Sequence, residues 1–483
     1  MTEQATALVV LAAGQGSRML SDLPKVLHRL GGVPLVGHAL AAGRTLDPER
    51  VIVVAGHGAD AVTKAVGKLD PDAQVALQEQ QLGTGHAVAQ ALPLLDGFDG
   101  KVVVLYGDTP FIGADTLAAL ASHSADVVVL GFEAADPGRY GRLVVRNGAL
   151  DRIVEFKDAD EATRRIALCN SGVMAADAGL LRDLVGRLGN DNAAGEYYLT
   201  DVVGLARADG RSAAVVTCDE AETLGINTRA ELASAEAQFQ ARARAAALDS
   251  GVTMSDPATV WFALDTVIGR DAIIGQNVVF GPGVTIESGA EILPFCHLEG
   301  CHVSSGATVG PFARLRPGAE LGGDVHVGNF VEIKNTVLDE GVKVGHLTYL
   351  GDAHVGERTN IGAGTVTCNY DGVGKHRTEI GADAFIGSDT MLVAPVRVGA
   401  RALTGSGSVI TEDVPDDALA IGRARQVVKP GLAVRMMQAL RAARARGADG
   451  NGTRVADGDG TREAGRDGIR EADRAAASVG KDG

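Results

Sequence analysis

Aromatic residues are scarce in this chain of 483 residues: Phe, Tyr and Trp together make up 4%, with a single Trp. A core built on large rings is therefore excluded, and small or aliphatic side chains must fill the interior. Positive charge is also short. There are 45 Lys and Arg against 61 Asp and Glu, and the net charge of −16 argues against non-specific nucleic-acid binding. That excess does not sit in a tail, because residues 448–483 hold eight acids and six bases. Cysteine is limited to Cys169, Cys218, Cys296, Cys301 and Cys368, an odd number with no CxxC pair. Such a set makes neither a disulfide framework nor a zinc site, and reads as the reduced thiols of a cytoplasmic protein. Long apolar runs are missing as well. The run at 7–13 is too short to span a bilayer and has no basic segment before it, so neither a membrane span nor a secretory signal is expected.

What the chain has in excess is glycine, 64 residues, and a period. An aliphatic residue returns at about every sixth position: Ile268, Ile274, Phe280, Ile286, Ile292, Leu298, then Val303, Val309, Leu315, Leu321, Val327, Ile333. The row continues through Leu338, Val344, Leu350, Val355, Ile361 and Thr367 to Ile380, Ile386, Leu392, Val398, Thr404 and Ile410. A period of six fits neither a helix at about 3.6 nor a strand at about two. It predicts a solenoid of three-sided coils, one hexapeptide per side, with the aliphatic pointing inward. Residues four places on, such as Ala272, Val278 and Ala290, fill the remaining inward space. Glycines directly behind the aliphatic (Gly269, Gly275, Gly328, Gly381, Gly387) are expected to form the tight corners. The 13-residue step from Thr367 to Ile380 marks an inserted loop at 368–375, expected to project from a corner toward a neighbour. A coil this thin buries little per chain, so a parallel homotrimer with its site between protomers is expected.

The length exceeds what one core usually serves. Residues 1–228 alternate strand-like and helical runs, the α/β pattern, with strands expected at 7–12, 51–55, 102–106 and 127–131. Residues 229–250 read as a linker helix rich in Ala, Gln and Arg, and 251–430 as the solenoid domain. In 431–483 a helix at 432–445 precedes a Gly-, Asp- and Arg-rich tail expected to be disordered.

The first candidate site follows the opening strand. Gly14, Gln15, Gly16, Ser17 and Arg18, then Pro24 and Lys25, combine a Gly-rich turn with two cations where backbone N–H groups can cradle phosphates. The dinucleotide fingerprint fails because Met19 stands where a small residue is needed. Arg18 and Lys25 suit instead a triphosphate whose charge must be neutralised as a bond breaks. Gln78 with Gly83 and Thr84 forms a second loop able to take a base edge and a sugar hydroxyl. Tyr106, Gly107 and Asp108 end an apolar strand on a carboxylate suited to Mg2+, and Asn227 offers another oxygen. In this order the pieces resemble the sugar-1-phosphate nucleotidyltransferases.

A second candidate site lies on the solenoid. Arg316 and Lys334 each follow an inward aliphatic and stand 18 residues apart, one full coil, so they are expected to stack about 4.8 Å apart on one face. Two cations that close call for an anionic ligand, unless acids such as Glu320 or Glu332 pair with them. His346, with Tyr349 at the following corner, is expected one coil from that pair, where a neutral imidazole can take a proton from an amine. Asn360 and Ala363 fall on the next coil.

Read together, the motifs resemble the bifunctional N-acetylglucosamine-1-phosphate uridyltransferase/glucosamine-1-phosphate acetyltransferase family, in order over about residues 5–430. The most specific runs are 314–320 (RLRPGAE), 327–334 (VGNFVEIK), 345–352 (GHLTYLGD) and 360–371 (NIGAGTVTCNYD). The resemblance implies an α/β Rossmann-like nucleotidyltransferase domain followed by a left-handed parallel β-helix of hexapeptide repeats. It implies an enzyme that acetylates glucosamine-1-phosphate from acetyl-CoA and then transfers UMP from UTP, making UDP-N-acetylglucosamine for the cell envelope. Nucleotide and phosphate contacts are implied for Leu11, Ala12, Ala13, Gly14, Arg18, Lys25, Gln78, Gly83, Thr84, Tyr106 and Gly107, with Mg2+ on Asp108 and Asn227. N-acetylglucosamine contacts are implied for Gly141, Glu155 and Asn170. On the solenoid the resemblance implies amino-sugar-phosphate binding by Arg316, Lys334, Tyr349 and Asn360, with His346 as general base. Acetyl-CoA contacts are implied for Ala363, Asn369, Tyr370, Ser388, Ser406 and Arg423. Arg139 stands where the family commonly has Gly. The competing readings are a monofunctional nucleotidyltransferase with a regulatory solenoid and a non-catalytic hexapeptide scaffold. A zinc solenoid would need three converging His, and His297, His302, His326, His346 and His354 lack that spacing.

Overall fold

In the computed structural model, which describes residues 5–449, the largely aliphatic run Thr6–Ala12 becomes a fully buried strand near the centre of a mostly parallel sheet. Arg50–Ala55 pairs with it on one side and Lys101–Tyr106 on the other, both parallel. Gln74–Leu77 lies beyond Arg50–Ala55. Beyond Lys101–Tyr106 come the antiparallel Leu168–Asp177, then Val127–Glu133 and Ala213–Cys218. The strands expected at 7–12, 51–55, 102–106 and 127–131 are all present, each longer by one or two residues. The chain builds one flank of Thr6–Ala12 before returning to build the other. The strand order therefore reverses there, and the crevice beyond the carboxyl ends of Thr6–Ala12 and Lys101–Tyr106 is where such a sheet binds ligands.

Helix Arg229–Asp249 starts from a reciprocal cap: the Thr228 side chain accepts from the Glu231 N–H, and the Glu231 carboxylate accepts from the Thr228 N–H. It is pinned to both halves of the unit. A Cβ on Gly31 would fall 2.4 Å from the Phe239 ring, and Phe239 and Ala243 pack against the solenoid core. The buried Gln240 amide bonds both the N–H and the carbonyl of Phe262, at 2.9 and 2.8 Å.

The solenoid winds through three stacks of short parallel strands whose registers repeat every 17 or 18 residues. Its first side carries His326–Asn329, Lys343–His346, Asn360–Ile361 and Phe385–Ile386. Its second carries Arg314–Leu315 and the opening residues of Glu332–Leu338 and Tyr349–Val355, whose later residues belong to the third. Every member of the inward row from Ile274 to Ile410 is buried, Thr367 and Thr404 included, while Ile268 in the first coil is half-buried. Across the inserted loop the register step widens to 25 residues.

The glycines behind the aliphatics do not turn the corners. None of Gly269, Gly275, Gly328, Gly381 and Gly387 has a positive φ. The turn comes three places after the aliphatic, at left-handed Asp271, Asn277, Asp324 and Asp383 or at Gly283, Gly289 and Gly306. The other glycines are small because the next coil passes directly over them: a Cβ on Gly328 would lie 1.9 Å from the Gly345 carbonyl oxygen. At the corner joining the first and second sides the left-handed positions are bulky. Phe295, Phe312, Phe330 and Leu347 have φ of 62, 58, 57 and 50°, conformations that cost large side chains strain. These side chains are about half exposed, and the three rings stack at 4.9 and 5.4 Å.

A second unit begins at Arg423. Within it, Leu432–Asp449 is helical and contains the helix expected at 432–445. The tail expected to be disordered lies beyond position 449, outside the described residues.

Candidate active sites

At the carboxyl end of Thr6–Ala12 the chain enters the Gly-rich turn. Gly16 is left-handed, with φ 62°, and a Cβ there would lie 2.6 Å from that of Lys25. Only glycine lets Lys25 turn inward. Its ammonium donates to Asp108 Oδ2 and, at 3.0 Å, to Asn227 Oδ1. The Ile226 N–H donates to the Asp108 carbonyl at 3.0 Å, which draws the segment bearing Asn227 alongside, and Glu231 of the helix cap accepts from the Asn227 N–H at 2.7 Å. Two oxygens far apart in sequence thus converge on one cationic group. A cavity of about 320 Å³ opens here. Leu11, Ala12, Ala13, Gly14, Lys25, Gln78, Gly83, Thr84, Tyr106 and Asp108 line it, as expected, together with Val26, Gln81, Ala87 and Glu196, which no motif marked. Arg18 does not line it and is exposed on the single turn Ser17–Met19, while Gly107 is buried with its N–H on the Leu11 carbonyl at 2.9 Å.

The residues expected to read the sugar also meet. The Asn170 N–H donates to the Gly141 carbonyl at 2.9 Å, and a Cβ on Gly141 would sit 3.4 Å from both carboxylate oxygens of Glu155. Burial pushes the Glu155 carboxyl above its ordinary range, Asp158 and Asp201 add to this, and a Thr200 hydroxyl bond opposes it. Burial, reinforced by Asp108 and Glu155, likewise raises the Tyr106 phenol, which stays a donor. Sequence reasoning passed over Arg142, which no motif distinguishes from a surface arginine. It is 2% exposed, and its guanidinium donates to the carbonyls of Tyr140, Gly138 and Arg164, holding the loop that carries Gly141. Arg139 is exposed on that loop.

On the solenoid, Leu315 pairs with Ile333, so Lys334 lies directly above Arg316 as the spacing predicts. Arg316 Nη1 donates to Glu332 Oε1 at 2.8 Å, one of the two acids anticipated as partners. Lys334 faces a further cation, Lys375. That ammonium within hydrogen-bonding reach, with burial and Arg316 adding, holds the Lys334 amine below its usual range. The inserted loop is closed on itself, which fixes where Lys375 stands: Tyr370 bridges Lys375, and Asp371 accepts from the N–H groups of Val373 and Gly374. The loop stands exposed from Tyr370 to Val373, with Tyr370 60% and Val373 94% exposed. Beside the cations, burial would raise Asp352, but amide donors from Asn335 and Asn369, with Lys375 and Lys334 near, bring it below the ordinary carboxylate range. Tyr349 pairs with Glu332 on the same side.

His346 is not beside that pair. Lys334 pairs with Gly351, whereas His346 stands five residues earlier, at the end of the first side and directly above Asn329. Its Nδ1 lies 2.5 Å from Asn329 Oδ1. An amide oxygen only accepts, so Nδ1 carries a proton, and in the neutral ring Nε2 is the nitrogen with the free lone pair. Ala363, Ser388 and Ser406 hold the same corner position in successive coils above, and the carbonyls of Leu347, Ala363 and Ser388 accept from the N–H groups of Gly364, Asp389 and Gly407, binding that edge together. Asn360 pairs with Lys343 on the first side. His346 thus ends the first side, while the position above Lys334 falls on the second. The cations, Tyr349, Asn369 and Tyr370 belong to one edge, and His346 with its column to the other. Arg423 falls in the second unit. Among the described residues, no group of three or more His, Cys, Asp or Glu side chains converges as a metal site.

Residues 8–169 match the family described as MobA-like NTP transferase domain, and residues 265–300 match Bacterial transferase hexapeptide (six repeats). A protein of Paracoccus denitrificans (strain Pd 1222) named Bifunctional protein GlmU is 82% identical over 441 residues, covering 91% of this chain and 99% of that protein. Proteins of the same name from Cereibacter sphaeroides and from Jannaschia sp. (strain CCS1) are 72% and 62% identical, each match covering at least 91% of this chain and 98% of the relative.

Proposed function

The chain belongs to the family of the bifunctional protein GlmU, and from that premise we propose the following division of labour. Residues 251–430, a left-handed β-helix of hexapeptide repeats, transfer acetyl from acetyl-CoA to glucosamine-1-phosphate. Residues 1–228 then transfer UMP from UTP to the N-acetylglucosamine-1-phosphate so formed, releasing pyrophosphate. Residues 229–250 join the two domains. The convergence of Lys25, Asp108 and Asn227 in the crevice at the sheet's switch point is the observation that carries the reading.

A sugar phosphate has its second pKa at about 6 and is largely dianionic near neutral pH, so uridyl transfer needs no general base. It needs in-line positioning on the α-phosphate and relief of charge. Asp108 and Asn227 fit Mg2+, because their oxygens already converge on one cation and Mg2+ is commonly held by one or two protein oxygens plus substrate phosphates. When bound there, the ion neutralises phosphate charge. Lys25, released from Asp108, would present its ammonium to the α-phosphate, while Gly141, Glu155 and Asn170 hold the sugar.

For acetyl transfer the thioester is already activated, so no enzyme nucleophile is required. The thiols of Cys296 and Cys301, pushed up by burial to about 11 and about 12, stay neutral and packed. His346 Nε2 takes the amine proton, and backbone N–H groups near Ala363 meet the tetrahedral oxyanion. A sugar phosphate among Arg316, Lys334 and Lys375 relieves the repulsion that depresses Lys334. Since these cations and His346 stand at opposite edges of one chain, the complete site is formed between protomers. The exposed ladder of Phe295, Phe312, Phe330 and Leu347 adjoins His346, and a second copy seated on it removes apolar surface from water and brings its cation edge to that imidazole. A closed homotrimer satisfies each edge once. Five free cysteines support a cytoplasmic setting.

Incubation with glucosamine-1-phosphate, acetyl-CoA, UTP and Mg2+, following CoA and pyrophosphate separately, is expected to show both products. Pyrophosphate without CoA would support the monofunctional reading, and release of neither the scaffold.

A further inference from the structure

We propose that His86 sets the base selectivity of the nucleotide crevice, by holding the Gln78 amide with its oxygen toward the ligand. The inference rests on the uridyl-transfer reading and deepens it. Gln78 directly follows strand Gln74–Leu77, and its N–H extends the ladder onto the Ala55 carbonyl at 2.7 Å. Its side chain is 3% exposed and lines the cavity. Nε2 faces two groups, the Gly83 carbonyl at 3.1 Å and His86 Nδ1 at 3.0 Å. A carbonyl oxygen cannot donate, so the atom opposite Gly83 must be the nitrogen. The second N–H then needs an acceptor, and a neutral imidazole supplies it at Nδ1. Both amide hydrogens are consumed by the protein. Only Oε1 is left for the ligand, and it can only accept.

Both partners of that amide are themselves fixed. Gly83 has φ 107°, and a Cβ there would fall 2.6 Å from the Tyr197 carbonyl oxygen, so its own carbonyl is held in place. His86 lies in the first turn of helix Thr84–Ala91, with its ring 6.4 Å from that of Tyr197. Its Nε2 lies 3.2 Å from the Gln90 amide nitrogen, and with Nδ1 accepting from Gln78 the proton sits on Nε2, which requires the Gln90 amide to turn its oxygen to the ring. A pyrimidine with a hydrogen on N3, as in uracil, complements the acceptor that Gln78 presents. Cytosine brings a lone pair at N3 and would face it acceptor to acceptor. His86 is not among the residues lining the cavity and acts through Gln78, so it is a positioning residue.

The test compares UTP with CTP as donors to N-acetylglucosamine-1-phosphate in the full-length protein, reading pyrophosphate. His86→Phe keeps a flat ring against Tyr197 but offers no acceptor. It is expected to raise the KM for UTP by roughly 10- to 100-fold with little change in kcat, and to cut the UTP-over-CTP preference in kcat/KM by about tenfold or more. His86→Asn, whose oxygen can take the place of Nδ1, is expected to restore most of both. CoA release from glucosamine-1-phosphate and acetyl-CoA gauges folding and is expected to stay at the wild-type level. An unchanged UTP-over-CTP preference in His86→Phe overturns the role of His86, whether both rates hold or both fall together. A wild-type protein that releases pyrophosphate from neither nucleotide overturns the underlying reading instead.

Discussion

Replacing His346 with Ala is expected to lower CoA release by roughly 10²- to 10⁴-fold while pyrophosphate release from UTP stays at the wild-type rate. The size of the effect follows from what the imidazole does. An amine attacks a thioester only through its lone pair, so the proton must leave, and Nε2 is the acceptor that the geometry frees for it. Asn329 occupies Nδ1 at 2.5 Å and so fixes both tautomer and ring orientation. The selectivity follows from the folds. His346 sits on a solenoid corner, whereas the nucleotide crevice is built from a parallel sheet and the cap of helix Arg229–Asp249. Separate assays of the two products on one preparation decide the matter. Loss of both activities together, or of neither, contradicts the assignment.

Asp108→Ala is expected to show the opposite pattern: uridyl transfer falls by roughly 10³-fold or more, and CoA release is untouched. Asp108 is the one carboxylate of the converging pair, and Asn227 alone offers a neutral oxygen. The substitution also strips Lys25 of its ion-pair partner, leaving an ammonium that is largely buried with only the Asn227 oxygen beside it. Titrating Mg2+ against pyrophosphate release separates these effects. A variant that has lost the ion's anchor needs far more Mg2+ for any residual rate, and a variant that retains the wild-type rate and Mg2+ dependence removes Asp108 from the site.

Much of this was legible in the sequence because its signals were local or periodic. The six-residue row specified the inward face of the solenoid, and its register put Lys334 over Arg316. The Gly-rich turn, the loop after Gln78 and the strand end at Asp108 reach one cavity because the strand order reverses beside Thr6–Ala12. What went unread depended on neighbours in space. A glycine spares both a strained φ and a close approach, and pattern alone cannot say which. Gly328 and its counterparts serve the approach of the next coil, and the corners pass to Asp, Asn and even Phe. Spacing alone puts His346 within one coil of the cations but does not say which corner of the coil it occupies. The coil step there is 17 residues, which puts Gly351, not His346, above Lys334. Lys375 and Glu196 come from loops that carry no period at all, and Arg142 declares itself only through its burial.

The shared acetyl-transfer site is tested most directly by mixing two inactive variants. His346→Ala keeps an intact cation edge, and Lys334→Ala keeps an intact imidazole. Co-expressed and purified as mixed assemblies, they are expected to recover up to roughly a quarter of wild-type CoA release, since a random pairing supplies both intact halves to about one interface in four. Activity no higher than that of the two variants assayed apart would contradict a site built from two protomers.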